Sequence, residues 1–593
     1  MRLDKIKISN FRNIDGITVL LNQNCTYIVG ENNIGKSNFL SLLQTICEGN
    51  SFDEQDYTDS KKPIEIELDI TMLPCEQGFF DDSFSPLDAS LIKIQYQQKI
   101  EDARPNVINI DSNETIPLKN LRKIHFLNYK TTSIPSKELR LDSERGIGLI
   151  VQGMIERFLS GNTDSFLNDE KVNELKDSIN EDLIKIRSFR DYSIKATIAQ
   201  NSTDILTSLF YLSDGERKID TTGSGIQYIA MASINILCQI MQLYKNKIYP
   251  FSDQLYTDDN GKKILPIILS IDEPEVHLHP YLQRSLVSYY KKILCNQDVD
   301  FTDLLKKCFG IDGVIGQLII VTHSTDILLG DYRNLVRFYK IGSDTAVISG
   351  QDTALNFDTN LEKHLIMHFP EIKEAFYAKC AILVEGETEY GCFNAFAEKI
   401  GISLDDNGIC VISARGECSI EPLRKLLNAF AIPCVSVYDS DVKNGQNPGI
   451  NEFFTNEPCF EIEIVKNVYK AGHPDIIKQI VRESVPNFDN ILMDFDLIYK
   501  PFQKMGLNLF KIETCEKCGN TKRVPNISGY KPKKLSDVDD NNPNEFCNMY
   551  SAWFIAKKGI YLGRIIGATL PDSLIPACYV NAIKRAKEIV TNG

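Results

Sequence analysis

The sequence predicts an α/β protein made of two consecutive parallel-sheet units, with a helical segment inserted into the first and helical elements closing the second. Three observations predict it. Apolar strand-like runs alternate with amphipathic helical stretches in the first third and again around residues 380–440. Several of those runs end on a glycine or an acid, as in YIVG, IILSIDE, AILVEGE and VSVYDSD. Residues 146–210 are charged, helical in period and poor in strand formers. The boundaries that follow are 1–145 and 211–360 for the first unit, 146–210 for its insertion, and 375–593 for the second.

Composition narrows the class. With 593 residues, 43% apolar and 24% charged, the chain is long enough for several cores and is no disordered tail. Its 65 basic against 80 acidic residues give a net charge of −15, so any contact with nucleic acid needs a local positive patch. The sixteen cysteines are dispersed, mostly inside apolar runs, which fits a reduced, cytoplasmic setting. The opening MRLDKIKISNFRNI alternates apolar with polar residues and reads as a strand, not a secretory leader. The longest nearly unbroken apolar stretch, Ile264 to Ile271, is too short to cross a bilayer, so no membrane span is expected.

The run YIVGENNIGKSNFLSLLQ sets Gly30, Asn33, Gly35, Lys36 and Ser37 between an apolar strand and an amphipathic helix. Glycines there let backbone N–H groups converge on phosphates, Lys36 offsets charge between the outer two, and Ser37 offers a hydroxyl to Mg²⁺. Further on, IILSIDEPEVHLHP ends a strand in Asp272 and Glu273, at the carboxyl edge where open α/β sheets bind ligands. Asp272 is suited to orienting Mg²⁺ and Glu273 to polarising an attacking water. QLIIVTHS ends a third strand at His323.

In this order the three motifs resemble ABC-type ATPases of the chromosome-maintenance and recombination branch, as does the opening ISNFRNI. The resemblance implies Glu273 as general base, His323 as sensor of the terminal phosphate and Arg12 close to the nucleotide. It also implies that ATP binds between two heads, across from a signature loop of the partner copy. LSDGERK (212–218) and GSGIQ (223–227) are the candidates. Ser224 and Gly225 are preferred, because they open directly onto a long amphipathic helix whose N–H groups face a phosphate.

The second unit carries acids at strand ends. AKCAILVEGETEY ends a strand at Glu385 and turns into a helix; if that helix starts near Glu385, Glu389 shares its face. AIPCVSVYDSD ends another strand in Asp439 and Asp441, which extended chain would aim the same way. PCFEIEIV reads as a third strand offering Glu461 and Glu463. So many like charges repel unless a cation sits among them, and an all-oxygen set suits Mg²⁺, Mn²⁺ or Ca²⁺.

Strand-Glu-Gly followed by strand-Asp-x-Asp resembles the TOPRIM domain. ATPase head, helical insertion and TOPRIM in that order resemble the OLD (overcoming lysogenisation defect) family of ATP-linked nucleases, including the large subunit of Gabija-type anti-phage systems. The resemblance implies metal-assisted phosphodiester cleavage, with Glu385, Glu389, Asp439 and Asp441 holding cations and Glu461 or Glu463 completing the set. It implies a charge-stabilising lysine late in the domain, supplied by Lys557 or Lys558, with Lys558 preferred. FEIE lacks an Asp expected at its first acidic position, which leaves the number of metals open.

Two weaker signals remain. Cys515-x-x-Cys518 is half of a Zn²⁺ pattern, but a closed site needs four ligands and no second pair lies nearby, so Cys547 or His473 would have to come in through folding and a Zn²⁺ site is the disfavoured reading. Lys522, Arg523, Tyr530, Lys531, Lys533 and Lys534 form a stretch without acids that suits DNA phosphates or simple solvation. The expectation is therefore an ATP-gated DNA endonuclease or nickase acting in anti-phage defence. It would be a homodimer or larger homo-oligomer joined through its heads and the insertion, with a helicase or reverse-transcriptase (retron) partner encoded nearby. A DNA-clamping maintenance ATPase that does not cut is the competing reading. A transporter subunit would leave 375–593 without a role.

Overall fold

The structure is a computed structural model that describes residues 1–592 except 74–75, 77–79, 81–84, 86–87, 131–134, 142–145, 162–168, 199–209, 214, 216–217, 220–221, 247–249, 356, 443–448, 508–509, 515–520 and 526–531. Cys515, Cys518, Tyr530 and Lys531 therefore lie outside the described residues. The chain divides into two compact units, Met1–Ala354 and Leu355–Gly593, so residues 355–374 belong with the second.

The first unit holds two principal sheets. The strand Ile64–Thr71 alternates buried and half-buried residues, as expected of a sheet with one face on the core. Its five-stranded antiparallel sheet runs Ile17–Leu20, Arg2–Ser9, Ile64–Thr71, Leu91–Gln98, Asn106–Asn109. In the second sheet the strand Lys263–Asp272 is buried along nearly its whole length, which explains its unbroken apolar run. It lies parallel to His125–Lys130 on one side and Gly313–Val321 on the other, and the latter pairs in parallel with Cys25–Gly30. Asp272 stands opposite Val321, and Val321 opposite Ile28. Parallel register thus brings the ends of three motif-bearing strands to one edge.

Within 146–210 the chain forms helices Gly146–Gly161, Asp169–Leu183 and Arg187–Asp191, then a strand Lys195–Ile198. The helix Ser224–Tyr244 packs on Gly146–Gly161. Its stretch Gly225–Tyr244 is long and apolar enough to cross a membrane by length and composition, a stretch the sequence reading passed over. Sixty-one per cent of its most apolar window is buried inside the unit, so the fold itself accounts for its apolar character.

The second unit is built on a four-stranded parallel sheet ordered Ile409–Ser413, Cys380–Val384, Cys434–Tyr438, Glu452–Phe454. Helices Glu387–Lys399 and Glu417–Ala429 make the crossovers. One core joins the sheet to the C-terminal helices, where Tyr579 sits edge-on to Phe393 and Phe460 at 5.6 and 5.3 Å between ring centroids. Helix Ile560–Thr569 crosses Glu387–Lys399 backbone to backbone: a Cβ on Gly563 would lie 2.0 Å from the Thr388 carbonyl oxygen. PCFEIEIV is not a third strand. Phe460–Lys470 is a helix, held by Phe460, Ile464, Val465 and Val468 facing the core.

Candidate functional site

The first unit brings its predicted residues together at the shared strand edge. Gly30 has φ 140° and a Cβ there would lie 2.2 Å from the Phe338 carbonyl oxygen, so only glycine lets the neighbouring strand approach. Asn33 and Gly35 also take positive φ, which curls the loop before helix Lys36–Cys47 begins. Lys36 folds back into that loop and donates to the carbonyls of Gly30 and Glu31 at 2.8 and 2.5 Å. Burial lowers its ammonium to about pKa 8, against the opposing pull of Glu273, Asp272 and Glu275. Ser37 is exposed in the first turn, and Asn38 accepts from Arg12, which Asp56 pins from behind at 2.8 Å.

Glu273 follows its strand with φ 53°, and its N–H donates to the Val321 carbonyl, so its side chain emerges from a strained turn. Its carboxylate lies 3.7 Å from His323 Nε2. Burial, and then Lys36, lowers the His323 imidazole and favours its neutral form. Glu275 is a site residue that sequence reasoning missed although it stands in the same motif. It accepts from Thr322 Oγ1 at 2.8 Å and from the His323 N–H at 2.5 Å, fixing the turn that carries His323. Burial raises the Glu275 carboxyl. Ser224 begins its helix after Gly223, and Gly225 lies against the backbone of His277, whose ring stacks on Tyr228 at 4.5 Å.

In the second unit Glu385 and Asp439 follow adjacent parallel strands, and Glu385 Oε1 accepts the Asp439 N–H at 2.8 Å. The helix after Glu385 starts only at Glu387, with Gly386 as its cap. Glu389 therefore shares no helix face with Glu385; it folds back to accept the Gly386 N–H at 2.6 Å. Extended chain does not align Asp439 with Asp441 either, because Ser440–Val442 is a single 3₁₀ turn. What unites the two is Lys504, which ends the helix Phe495–Lys504 with its Nζ 3.4 Å from Asp439 Oδ2 and 3.9 Å from Asp441 Oδ2. No sequence signal marked Lys504.

The helical form of FEIE separates its two acids. Glu461 faces Thr388, whose hydroxyl donates to it at 3.0 Å. Glu463 is fully buried and turns away, accepting from the N–H of Asn456 and of Glu457 and from the Asn456 amide. Lys558 is exposed in the turn between helices Pro543–Ala556 and Ile560–Thr569, not on a helix face. The next residue, Gly559, donates its N–H to Thr388 Oγ1 at 3.0 Å, which ties that turn to the carboxylates.

Burial pushes Glu389 well up, and the neighbouring Asp439 and Glu461 add to it. Asp439 is pushed up to about 7 by burial and by Glu385, with Lys504 opposing. Glu385 rises for the same reason, burial first. Such a crowd of oxygen donors, costly to ionise together, fits a hard divalent cation. Among the described residues, however, no three acids, histidines or cysteines stand ready as a ligand group.

Comparison with known proteins agrees with both halves. Residues 376–441 match the family described as "Overcoming lysogenization defect protein-like, TOPRIM domain", and residues 1–145 and 150–328, over half the chain, match "AAA ATPase domain". This chain belongs to the AAA ATPase-domain family and carries an OLD-like TOPRIM domain. Among the relatives of this chain, the Old nuclease of Escherichia phage P2 is 23% identical over 502 residues, 74% of this chain and 77% of that protein. The uncharacterised protein YbjD of Escherichia coli K12 is 21% identical over 570 residues, 82% and 90% of the two chains. The C-terminal region of the Xanthomonas campestris pv. campestris OLD protein is a structural neighbour at 17% identity, TM-score 0.22, covering 37% of this chain and 97% of that one.

Proposed function

We propose that this chain is an ATP-hydrolysing, divalent-metal-dependent DNA endonuclease whose ATPase unit is of the ABC type. The observation that carries the reading is the pairing of Glu385 with Asp439 at the ends of adjacent parallel strands, where Glu385 accepts the Asp439 N–H, with Asp441 in the turn that follows and Glu389 and Glu461 buried. Glu385, Asp439 and Asp441 would hold Mg²⁺ or Mn²⁺. A metal bound there supplies a water of lowered pKa and offsets charge on the scissile phosphate. Glu389 and Glu461 set the charge around those ligands, and Lys558 offers an exposed cation beside them.

In the ATPase unit Lys36 exchanges its carbonyl partners for phosphate oxygens, Ser37 and Asp272 suit Mg²⁺, and Glu273 orients the attacking water beside neutral His323. Ser224 and Gly225 would be offered to ATP held by a second copy, which makes a homodimer the working unit. The nucleotide state sets whether the carboxylate site cuts, and the biological setting is defence against phage, a role supported by family resemblance.

The test incubates the purified chain with supercoiled plasmid and Mg²⁺ or Mn²⁺, with and without ATP, alongside Glu385→Ala, Asp441→Ala and Lys36→Ala. Metal-dependent nicks or breaks that vanish in the two carboxylate variants and change with Lys36→Ala support the gated nuclease. Intact plasmid throughout, or cutting that survives both carboxylate changes, refutes it. Phage plaque counts on cells carrying the wild type or Asp441→Ala test the defence role.

A further inference from the structure

Resting on that nuclease reading, we infer that Arg415 is a DNA-binding residue of the carboxylate site, gripping a phosphate that neighbours the scissile one while Glu371 orients its guanidinium. Strand register places it. Ser413 stands opposite Val384, the Ala414 N–H donates to the Val384 carbonyl at 2.8 Å, and the Gly416 N–H donates to the Glu385 carbonyl at 2.9 Å. Arg415 therefore leaves its strand directly beside Glu385. The strand Cys380–Val384 runs between Ile409–Ser413 and Cys434–Tyr438, so Arg415 and Asp439 flank Glu385 on opposite sides. Neighbouring strands lie about 5 Å apart. A DNA backbone crossing the strand ends from Asp439 past Glu385 meets Arg415 next.

Two features set Arg415 apart from a solvated side chain. Its φ is 54°, in the left-handed region that a residue with a Cβ takes at a cost, and such strain gathers where a side chain must be aimed. Its guanidinium is also largely unspent. Of five N–H donors it commits one edge, with Nη2 at 3.1 Å from Glu371 Oε1, and among the described residues no other hydrogen bond or ion pair engages it. The side chain is 58% exposed, so the open edge of the fork faces solvent. A phosphate suits that edge, because a planar guanidinium meets two oxygens with two parallel bonds. Glu371 is a firm support: it lies at the end of helix Thr359–Ile372, whose Phe369 and Ile372 are buried and whose His368 Nε2 lies 3.1 Å from Ser419 Oγ. Arg415 is the one cation in the loop Ala414–Glu417, and Glu417 stands close enough to Glu385 to raise its carboxyl. In a chain of net charge −15, DNA reaching these acids needs such a local cation.

The experiment measures plasmid cleavage by the full chain with Mg²⁺ over a series of KCl concentrations, for wild type, Arg415→Gln, Arg415→Lys and Lys425→Gln. Lys425 is the control, an exposed cation further along helix Glu417–Ala429. Arg415→Gln is expected to raise KM about tenfold near 0.1 M salt with kcat within about threefold, and to flatten the slope of log kcat/KM against log salt by about 0.9. Arg415→Lys and Lys425→Gln are expected to keep the wild-type slope. A full slope and unchanged KM in Arg415→Gln, an equal loss in Lys425→Gln, or a fall in kcat alone overturns the role of Arg415 and leaves the nuclease reading standing. A wild type that cuts under no condition overturns both. Should Arg415→Gln not fold, as its circular dichroism would show, Arg415→Gly, which suits a φ of 54°, takes its place with the same expected outcome.

Discussion

The two units of this chain assemble charged sites by opposite means. At the phosphate loop the geometry lives in the backbone: positive φ at Gly30, Asn33, Gly35 and Glu273 shapes the loops, and Lys36 rests on carbonyls. At the carboxylate site the geometry lives in side chains whose donors come from elsewhere in the unit, such as Phe460, Thr388 and Lys504. A backbone site is specified by a few contiguous residues. A side-chain site is specified only once distant elements have packed, and it is correspondingly easier to retune by single substitutions.

The sharpest way to break this contrast is to remove the central group on each side. Lys36→Ala is expected to lower ATP hydrolysis at least about 100-fold with an unchanged thermal transition, and Asp441→Asn to lower plasmid cleavage by a similar factor. Phosphate release and gel densitometry read the two effects. Should Lys36→Ala instead unfold the first unit, the loop would depend on the ammonium and not on its own backbone.

A smaller effect separates positioning from chemistry. Glu275→Gln keeps an acceptor for the Thr322 hydroxyl but weakens its hold on the His323 N–H, and about a tenfold loss in ATP turnover is expected, with nucleotide affinity little changed. Steady-state kinetics and nucleotide binding distinguish the two.

Asp439 carries a signature in pH. Its carboxyl titrates near 7 in the fold against 3.8 for an ordinary aspartate, so between those values the folded chain holds more protons than the unfolded one, and stability falls as pH rises. Asp439→Asn removes that penalty. In EDTA it is expected to stabilise the chain by about 2 kcal/mol at pH 8, where the group is ionised in both states, and by almost nothing near pH 4. Urea midpoints across the range test the sign. Smallest of all, Glu463→Gln is expected to cost about 1 kcal/mol of stability through its backbone cap and to leave cleavage within about threefold, which activity at matched folded fraction will show.

The same contrast decides what the sequence could disclose. Gly30 to Ser37, Asp272, Glu273 and His323 were legible because each closes or follows an apolar strand, and parallel pairing then aligns those ends without further information. Glu385 and Asp439 were legible for the same reason. FEIE misled because Phe-Glu-Ile-Glu alternates like a strand over four residues, whereas Phe460, Ile464, Val465 and Val468 carry the helical period only over nine. Lys504 left no trace in the sequence: it lies 65 residues from Asp439, and nothing local distinguishes it from a solvated lysine at a helix end.

The crossing at Gly563 places a limit on how this protein can drift. The Thr388 carbonyl oxygen would stand 2.0 Å from a methyl at that position, and the Thr388 hydroxyl holds both Glu461 and the turn bearing Lys558. One added carbon there would lever the two helices apart and carry the acids and the lysine turn with them. Inherited loss of function in this unit should therefore arise at a residue with no side chain at all as readily as at the acids, and a survey of spontaneous inactive variants would find the two kinds mixed.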